Sequence, residues 1–283
     1  MDSNKFLVVN DIPGFGKVAG NVNIPVLTSM GYEVAFLTTL LLSSNVSAPG
    51  DVCFYPVGDY FEKTIDHWQS MSVSFQGVLT GFFRDQQQID QLRTYYHSLN
   101  ENNNLPLVVD PIMADNGKFY TGFDTEFAMS MYRLIEHATL VTPNVTEACF
   151  LAGEAYTSYK TKEELATIAN KILQSGVEYV LITGIRLEEE EEQIGFYLAS
   201  QKEHKLFFHR YYPYAIMGTG DFVVSFIAGH YLAKRNMEEA VQQCSYYLEK
   251  AIEQTVDGPI RTEHGPLALR FEPLLHQLFH SIH

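Results

Sequence analysis

The chain predicts an α/β fold in three layers, a mostly parallel central sheet flanked by helices on both faces, with an antiparallel hairpin at one edge. Three observations carry this. Short β-type apolar runs alternate with helix-period segments from Phe6 to Thr183. Several of the predicted strands end in polar or Gly/Pro-containing turns, as parallel strands feeding helices do. Only between Thr183 and Gly218 does the alternation give way to two consecutive β runs.

In chain order, Phe6 to Val9 reads as the first strand. A Gly-rich turn from Pro13 to Gly20 follows, then a helix from Asn21 to Met30, ended by Gly31. Val34 to Leu40 is the second strand, and strand, helix, strand at this spacing starts a parallel sheet. Helices are expected at Tyr60 to Ser70, Gln86 to Leu99, Glu126 to His137 and Lys162 to Ser175. Strands are expected at Gly77 to Thr80, Leu107 to Asp110, Thr139 to Val141 and Tyr179 to Thr183. Gln193 to Ala199 and Lys205 to His209 form the edge hairpin. The helices Asp221 to Arg235 and Met237 to Gln254 close the pattern, before a loosely patterned tail. Nothing marks a domain boundary, so one domain over residues 1–283 is expected. The five acids Glu188 to Glu192 read as a solvated turn.

The 283 residues, 46% hydrophobic, suffice for one large core, and the net charge of −15 argues against nucleic acid or an anionic membrane as partner. A phosphate-bearing metabolite stays open, because backbone amides and a metal can hold it. No apolar run is long enough for a membrane span, and the first five residues lack a signal-like pattern, so a cytoplasmic location is expected. Cys53, Cys149 and Cys244 are far apart and read as reduced, buried small hydrophobes.

The stretch Gly218-Thr219-Gly220-Asp221 opens a helix, and its amides and dipole suit an anionic phosphate. Asp221 would repel that phosphate unless it takes a proton from an attacking hydroxyl; alone, it is equally an N-cap. Gly14-Phe15-Gly16-Lys17 matches neither a P-loop nor a dinucleotide fingerprint and reads as a tight turn or a substrate-facing loop. Asp110 ends a parallel strand, where open α/β sheets bind ligands. Pro111 turns the chain there, and Met113 to Lys118 follows as a polar, mobile-looking loop, a lid or an ordinary surface turn. Asn144 with Glu147 forms a capping box, and Glu147 is either that alone or also a contact to hydrated Mg²⁺. Asp110, Thr142 to Glu147 and Thr183-Gly184 converge on one sheet edge.

These segments together resemble the ribokinase superfamily, in its pyridoxal/pyridoxamine kinase branch, related to hydroxymethylpyrimidine kinases. The resemblance runs from Leu7 to Lys250. It is carried by Ser43-Ser44-Asn45, Leu79 to Phe82, Val109 to Met113 with Asp115 to Tyr120, Thr142-Pro143-Asn144 with Glu147-Ala148, and Gly218 to Asp221. It implies a ribokinase-like kinase using ATP and Mg²⁺, with K⁺ as a further candidate, acting on the hydroxymethyl group of a B6 vitamer. Asp221 would be the base, and the amides of Gly218, Thr219 and Gly220 the anion hole. Asp110 and Glu147 would lie near Mg²⁺, and Thr142, Asn144, Thr183 and Gly184 along the nucleotide. Ser47 and Phe82 would border the vitamer ring, with Pro13 at the position where relatives offer a hydroxyl. The resemblance also implies a homodimer.

The departures Ile12-Pro13, Val46 in place of His and Ala114 in place of a lid Gly all fall on the acceptor pocket or lid. A hydroxymethylpyrimidine kinase is the alternative enzyme, and a catalytically silent vitamer-binding relative the alternative of another class. A nicotinamide-dependent dehydrogenase is disfavoured by the glycine spacing.

Overall fold

The structure, a computed structural model, describes residues 5–100, 104–190, 192–258 and 267–282. Its elements are β1 (Lys5–Pro13), α1 (Gly20–Ser29), β2 (Glu33–Leu42), β3 (Phe54–Pro56), α2 (Gly58–Ser70), β4 (Gly77–Thr80), α3 (Gln86–Asn100), β5 (Leu107–Val109), β6 (Ala114–Asp115) and β7 (Lys118–Phe119). They continue as α4 (Thr125–Ile135), β8 (Leu140–Val141), α5 (Val145–Ala152), α6 (Lys162–Leu173), β9 (Tyr179–Ile185), β10 (Gln193–Ser200), β11 (His204–Arg210), β12 (Ile216–Met217), α7 (Thr219–Leu232), α8 (Met237–Val256), β13 (Leu267–Ala268) and α9 (Leu275–Ile282).

Nine strands form the main sheet in the order β11-β10-β9-β8-β5-β4-β1-β2-β3. The six from β9 to β2 pair in parallel. The expected hairpin β10–β11 adds antiparallel strands at one edge, and the short β3, not foreseen, adds one at the other.

Because the central strands are covered on both faces, their apolar runs are continuous and alternate in destination. Leu7 and Val9 of β1 face α2 to α6, with Ile65, Leu92, Met131 and Leu165. Phe6 and Val8 face α1, α7, α8 and α9, with Val26, Phe226, Val241 and Leu278. That is the three-layer sandwich the alternation predicts.

The chain runs from β1 to β2, then returns to place β4 on the other side of β1. The sheet thus has its switch point between β1 and β4, and the crevice at the carboxyl ends there is where α/β sheets bind ligands.

Three expectations are corrected. Cys53 is exposed, and only Cys149 and Cys244 are buried. The stretch 113–118 is a small hairpin, β6–β7, turned at Asn116 and Gly117 with φ of 50° and 75°, so it is an ordered element. In the tail, residues 267–282 are structured: β13 pairs with β12 just before Gly218, and α9 packs on α1, while residues 259–266 lie outside the described residues. Residues 1–4 and Glu191 of the acidic run lie outside the described residues.

Candidate active site

Helix α7 begins at Thr219, and its N-cap is Gly218, in the left-handed region at φ 87°. Asp221 therefore sits inside the first turn and is not the cap, which removes the capping reading. The first ladder bond runs from Phe222 N to Gly218 O, so the amides of Thr219 and Gly220 make no intrahelical bond at the positive end of the helix dipole, while the Asp221 amide meets its own carboxyl. A Cβ on Gly218 would lie 2.3 Å from Lys17 O, whereas one on Gly220 would meet no protein atom within 4 Å. The first glycine is needed for close packing, and the second leaves open space over the amides for a ligand.

The turn after β1 is part of this packing. Asn21 donates to Pro13 O and Gly16 O, and Lys17 pairs with Glu272 at 2.5 Å. Both the Gly14 to Lys17 turn and the Gly218 turn are thus braced by the tail, a role that no motif in the chain signals.

Three parallel strands deliver the residues expected along the nucleotide. Asp110 follows β5 and is 7% exposed. Thr142 to Asn144 follow β8, and Thr183 donates its amide to Pro143 O and bridges Asn144, so the two expected nucleotide segments are adjacent. Gly184, at φ 71°, has nothing within 4 Å of a built Cβ, which leaves a platform open beside them.

Glu147 is 3% exposed and completes the expected capping box with Asn144. It does more than cap. Oε2 accepts from Asn144 N at 2.9 Å, and Oε1 accepts from Met113 N at 3.0 Å and Ala114 N at 3.5 Å. Asn144 Nδ2 donates to Ala114 O, and Gly117 N donates to Thr146 Oγ1. The β6–β7 hairpin is therefore fastened to the N-terminus of α5.

These carboxyls share one electrostatic field. Burial raises Asp110 well above the usual carboxylate range, with Glu147 and Asp221 adding to it. Burial pushes Glu147 up to about 8, against its backbone hydrogen bonds. Asp221 is raised by burial, opposed by the Ala19 amide and the Asn10 side chain. Tyr120, just past the hairpin, is raised by burial and by Glu147, Asp115, Asp110 and Asp221.

Asp221 Oδ1, Thr142 Oγ1 and Thr80 Oγ1 are buried without a hydrogen-bond partner. Among the described residues no three His, Cys, Asp or Glu side chains form a metal cage. Clustered buried carboxyls with orphaned oxygens fit a hard cation that brings water and phosphate oxygens as its remaining ligands, as Mg²⁺ does.

On the acceptor side, Asn10 is 1% exposed and links several segments. Its Oδ1 accepts from Asp11 N and Phe82 N, and its Nδ2 donates to Asn23 Oδ1 at 2.8 Å. Asn23 Nδ2 in turn donates to Ser225 Oγ at 2.9 Å and to Asp221 O at 3.4 Å. Expected residues Phe82 and Asp221 are thus held on one frame.

Pro13 is buried at the end of β1. Ser47 is exposed in the 43–50 loop, where its amide bonds Asn45 Oδ1, and Val46 is 67% exposed. That loop meets the Gly14 to Gly16 turn through Asn45 N to Phe15 O. No contact brings Ser47 to Asp221. Asn10, Asn23, Ser225 and Asp11 were not foreseen as site residues; a polar Asn-Asp pair closing an apolar strand was the available signal. A cavity of about 540 Å³ beside α8 and α9, lined by Gln242, Tyr246 and His280 among others, contains none of these groups.

The sequence model of a family described as phosphomethylpyrimidine kinase matches residues 59–268. A Bordetella avium pyridoxine/pyridoxal/pyridoxamine kinase is 24% identical over 84% of this chain and 81% of its own. A Bacteroides thetaiotaomicron protein assigned as a phosphomethylpyrimidine kinase, solved in a crystal form with pyridoxal, superposes with a TM-score of 0.89 at 30% identity, covering 97% of this chain and 95% of that one. Pyridoxal kinase from Lactobacillus plantarum superposes at 0.87 with 27% identity, covering 98% and 97%. The matched stretch spans well over half the chain and takes in Asp110, Glu147 and Asp221, so the protein belongs to the phosphomethylpyrimidine kinase family, within the ribokinase-like superfamily.

Proposed function

We propose that this protein moves the γ-phosphoryl group of ATP to the hydroxymethyl group of a B6 vitamer. The observation that carries the chemistry is Asp221, a buried carboxyl with an orphaned oxygen set inside the first turn of α7, beside amides that make no intrahelical bond. A raised pKa makes that carboxylate a better proton acceptor. Asp221 takes the proton of the attacking alcohol as its oxygen bonds to the γ-phosphorus and the bond to the β-phosphate oxygen breaks. The amides of Gly218, Thr219 and Gly220 stabilise charge on the transferred group.

The nucleotide lies along Thr142 to Asn144 and Thr183-Gly184, and the β6–β7 lid with Tyr120 keeps water from the phosphoryl group. Asp110 and Glu147 would hold Mg²⁺, directly or through water, and the ion supplies neutralising charge at the phosphates.

The vitamer assignment is supported by the Bordetella avium relative's name and by the pyridoxal in the Bacteroides thetaiotaomicron crystal. A hydroxymethylpyrimidine or hydroxymethylpyrimidine phosphate acceptor is the second reading, favoured by the family's description. ADP release with Mg·ATP over a panel of pyridine and pyrimidine alcohols decides between them. Efficient turnover of pyridoxal, pyridoxine or pyridoxamine is expected. Turnover of hydroxymethylpyrimidine alone would overturn the vitamer assignment, and no turnover of any alcohol would overturn the kinase. The same assay with K⁺ exchanged for Na⁺ reads a monovalent cation requirement.

We treat the chain as one kinase domain, homodimeric and cytoplasmic. Leu41, Phe54 and Tyr55 stand exposed at the β3 edge of the sheet, which supports pairing with a second copy, and light scattering tests it. Among the described residues no helix is long and apolar enough to cross a membrane.

A further inference from the structure

We propose that Asp11 selects the acceptor: its carboxyl group receives an N–H of a nitrogen heterocycle whose hydroxymethyl group is presented to Asp221. This rests on the alcohol kinase reading above and deepens it.

Asp11 lies at the carboxyl end of β1, beside the sheet's switch point. The β1–β2 register slips there, with Asn10 opposite Thr38 but Ile12 opposite Leu41. Such irregularities beside a site re-aim side chains, and this one is held in place. Thr39, inside the slip, donates to Phe82 O, and Gln88 Nε2 donates to Thr39 O at 2.8 Å. Asn10 Oδ1 takes the amides of both Asp11 and Phe82, and through Asn23 the same frame reaches the backbone of Asp221. The backbones of Asp11, Phe82 and Asp221 are therefore held relative to one another before any ligand arrives.

Within the fold the Asp11 carboxyl is met by its own backbone amide, a local contact that ties no elements together. Among the described residues no lysine, arginine or histidine pairs with it. Its charged neighbour is Asp221, of like sign, and burial with that neighbour raises its pKa to about 7, against its own amide. A half-buried carboxyl held next to another carboxyl with no cation beside it is destabilising unless a donor arrives with the ligand. Phosphate cannot be that partner, since it is an anion. An aromatic ring carrying both a hydroxymethyl group and an N–H, on ring nitrogen or amino substituent, can satisfy Asp11 and Asp221 together while Phe82 offers a face for stacking.

The test uses two acceptors, pyridoxine and its carbocyclic analogue with the ring nitrogen replaced by C–H, and three proteins, the wild type, Asp11→Asn and Asp11→Ser. The wild type is expected to show a KM for pyridoxine roughly 10–100-fold below that for the carbocycle, because a site built for a hydrogen bond rejects the analogue that lacks it. In both variants that ratio should fall toward one, with kcat changing less than KM. Calorimetric binding of pyridoxine to protein saturated with a non-hydrolysable ATP analogue should weaken in parallel. A ratio near one in the wild type, or a ratio unmoved by both substitutions in proteins that still bind the nucleotide analogue, overturns the role of Asp11 and leaves the kinase standing. A wild type that phosphorylates no hydroxymethyl heterocycle overturns both.

Discussion

Raising the pH should loosen the ligand-free protein through its carboxyl cluster, and the size of the effect follows from the shifts. Asp11 moves from 3.8 to about 7 and Glu147 from 4.5 to about 8, with Asp110 and Asp221 shifted the same way. A carboxyl with a folded pKa above its unfolded one makes the folded state bind more protons. Its stabilisation is complete below the unfolded value and is lost as pH rises through the folded one. Between pH 6 and pH 8 Asp11 and Glu147 together would lose on the order of 3 kcal/mol, with the part-exposed Asp11 discounted for solvent.

For a chain of this length that is a fall of roughly 6 °C in Tm. His209 works in the opposite direction. Burial lowers its pKa from 6.5 to about 4, so its contribution is present above 6.5 and lost as pH falls toward 4, and it leaves the window from 6.5 to 8 flat. Thermal melts in chelator at pH 6, 7 and 8, repeated with Mg²⁺ and ADP, test the sum. The expected fall in chelator shrinks when Mg²⁺ and nucleotide are present, because the cation stabilises the ionised form. A flat or rising Tm in chelator, or a fall indifferent to Mg²⁺ and nucleotide, would refute the view that these carboxyls await a cation.

Asp221→Asn keeps the shape of the site but removes its base, so kcat should drop by about 10²–10⁴-fold with nucleotide affinity nearly unchanged; turnover close to wild type would sink the proposed mechanism. Glu147→Gln leaves one acceptor oxygen for three backbone amides, and the new NH₂ group must face one of them. A loss of about 1–3 kcal/mol in stability and a raised Mg²⁺ requirement are expected, whereas an unchanged Mg²⁺ titration would confine Glu147 to a structural role. In hydrogen exchange, the amides of Met113, Asn116 and Gly117 are already bonded, so slowing on joint addition of nucleotide and acceptor should be greatest at the exposed Asp115. Equal exchange with and without ligands would make the hairpin an ordinary turn.

The layer architecture was legible because its signal is local. Gly77 to Thr80 is bounded as the apolar run indicates, and the capping box at Asn144 marks the start of α5. Elsewhere boundaries moved where a tertiary partner extended an element. β1 continues past Val9 to Pro13 because β2 remains alongside it beyond the register slip. β3 and β13 are too short to register as periodic and exist through their neighbours. The lid read as mobile because its residues are polar; its order comes from Glu147, Asn144 and Thr146, some thirty positions away.

The same contrast divides the site. Its phosphotransfer half is written in contiguous segments, Thr142 to Glu147 and Gly218 to Asp221, each ending a strand or opening a helix, so the chemistry of the segment and its place in the sheet are read together. The half proposed for the acceptor is assembled from residues 10, 11, 23, 82 and 225, which four separate segments bring to one polar frame. No window of sequence contains that frame, and each member alone resembles an ordinary polar residue at a strand end or in a helix. The departures in the acceptor region follow the same division. Val46 and Ser47 stand exposed in their loop, while Asn10, which carries Asp11 and Phe82, is buried. Exchange of the exposed loop residues leaves the frame intact, and exchange at Asp11 changes what the frame presents to the ligand. Selectivity for the ring can therefore diverge between relatives while Asp221 and the amides around it stay as they are.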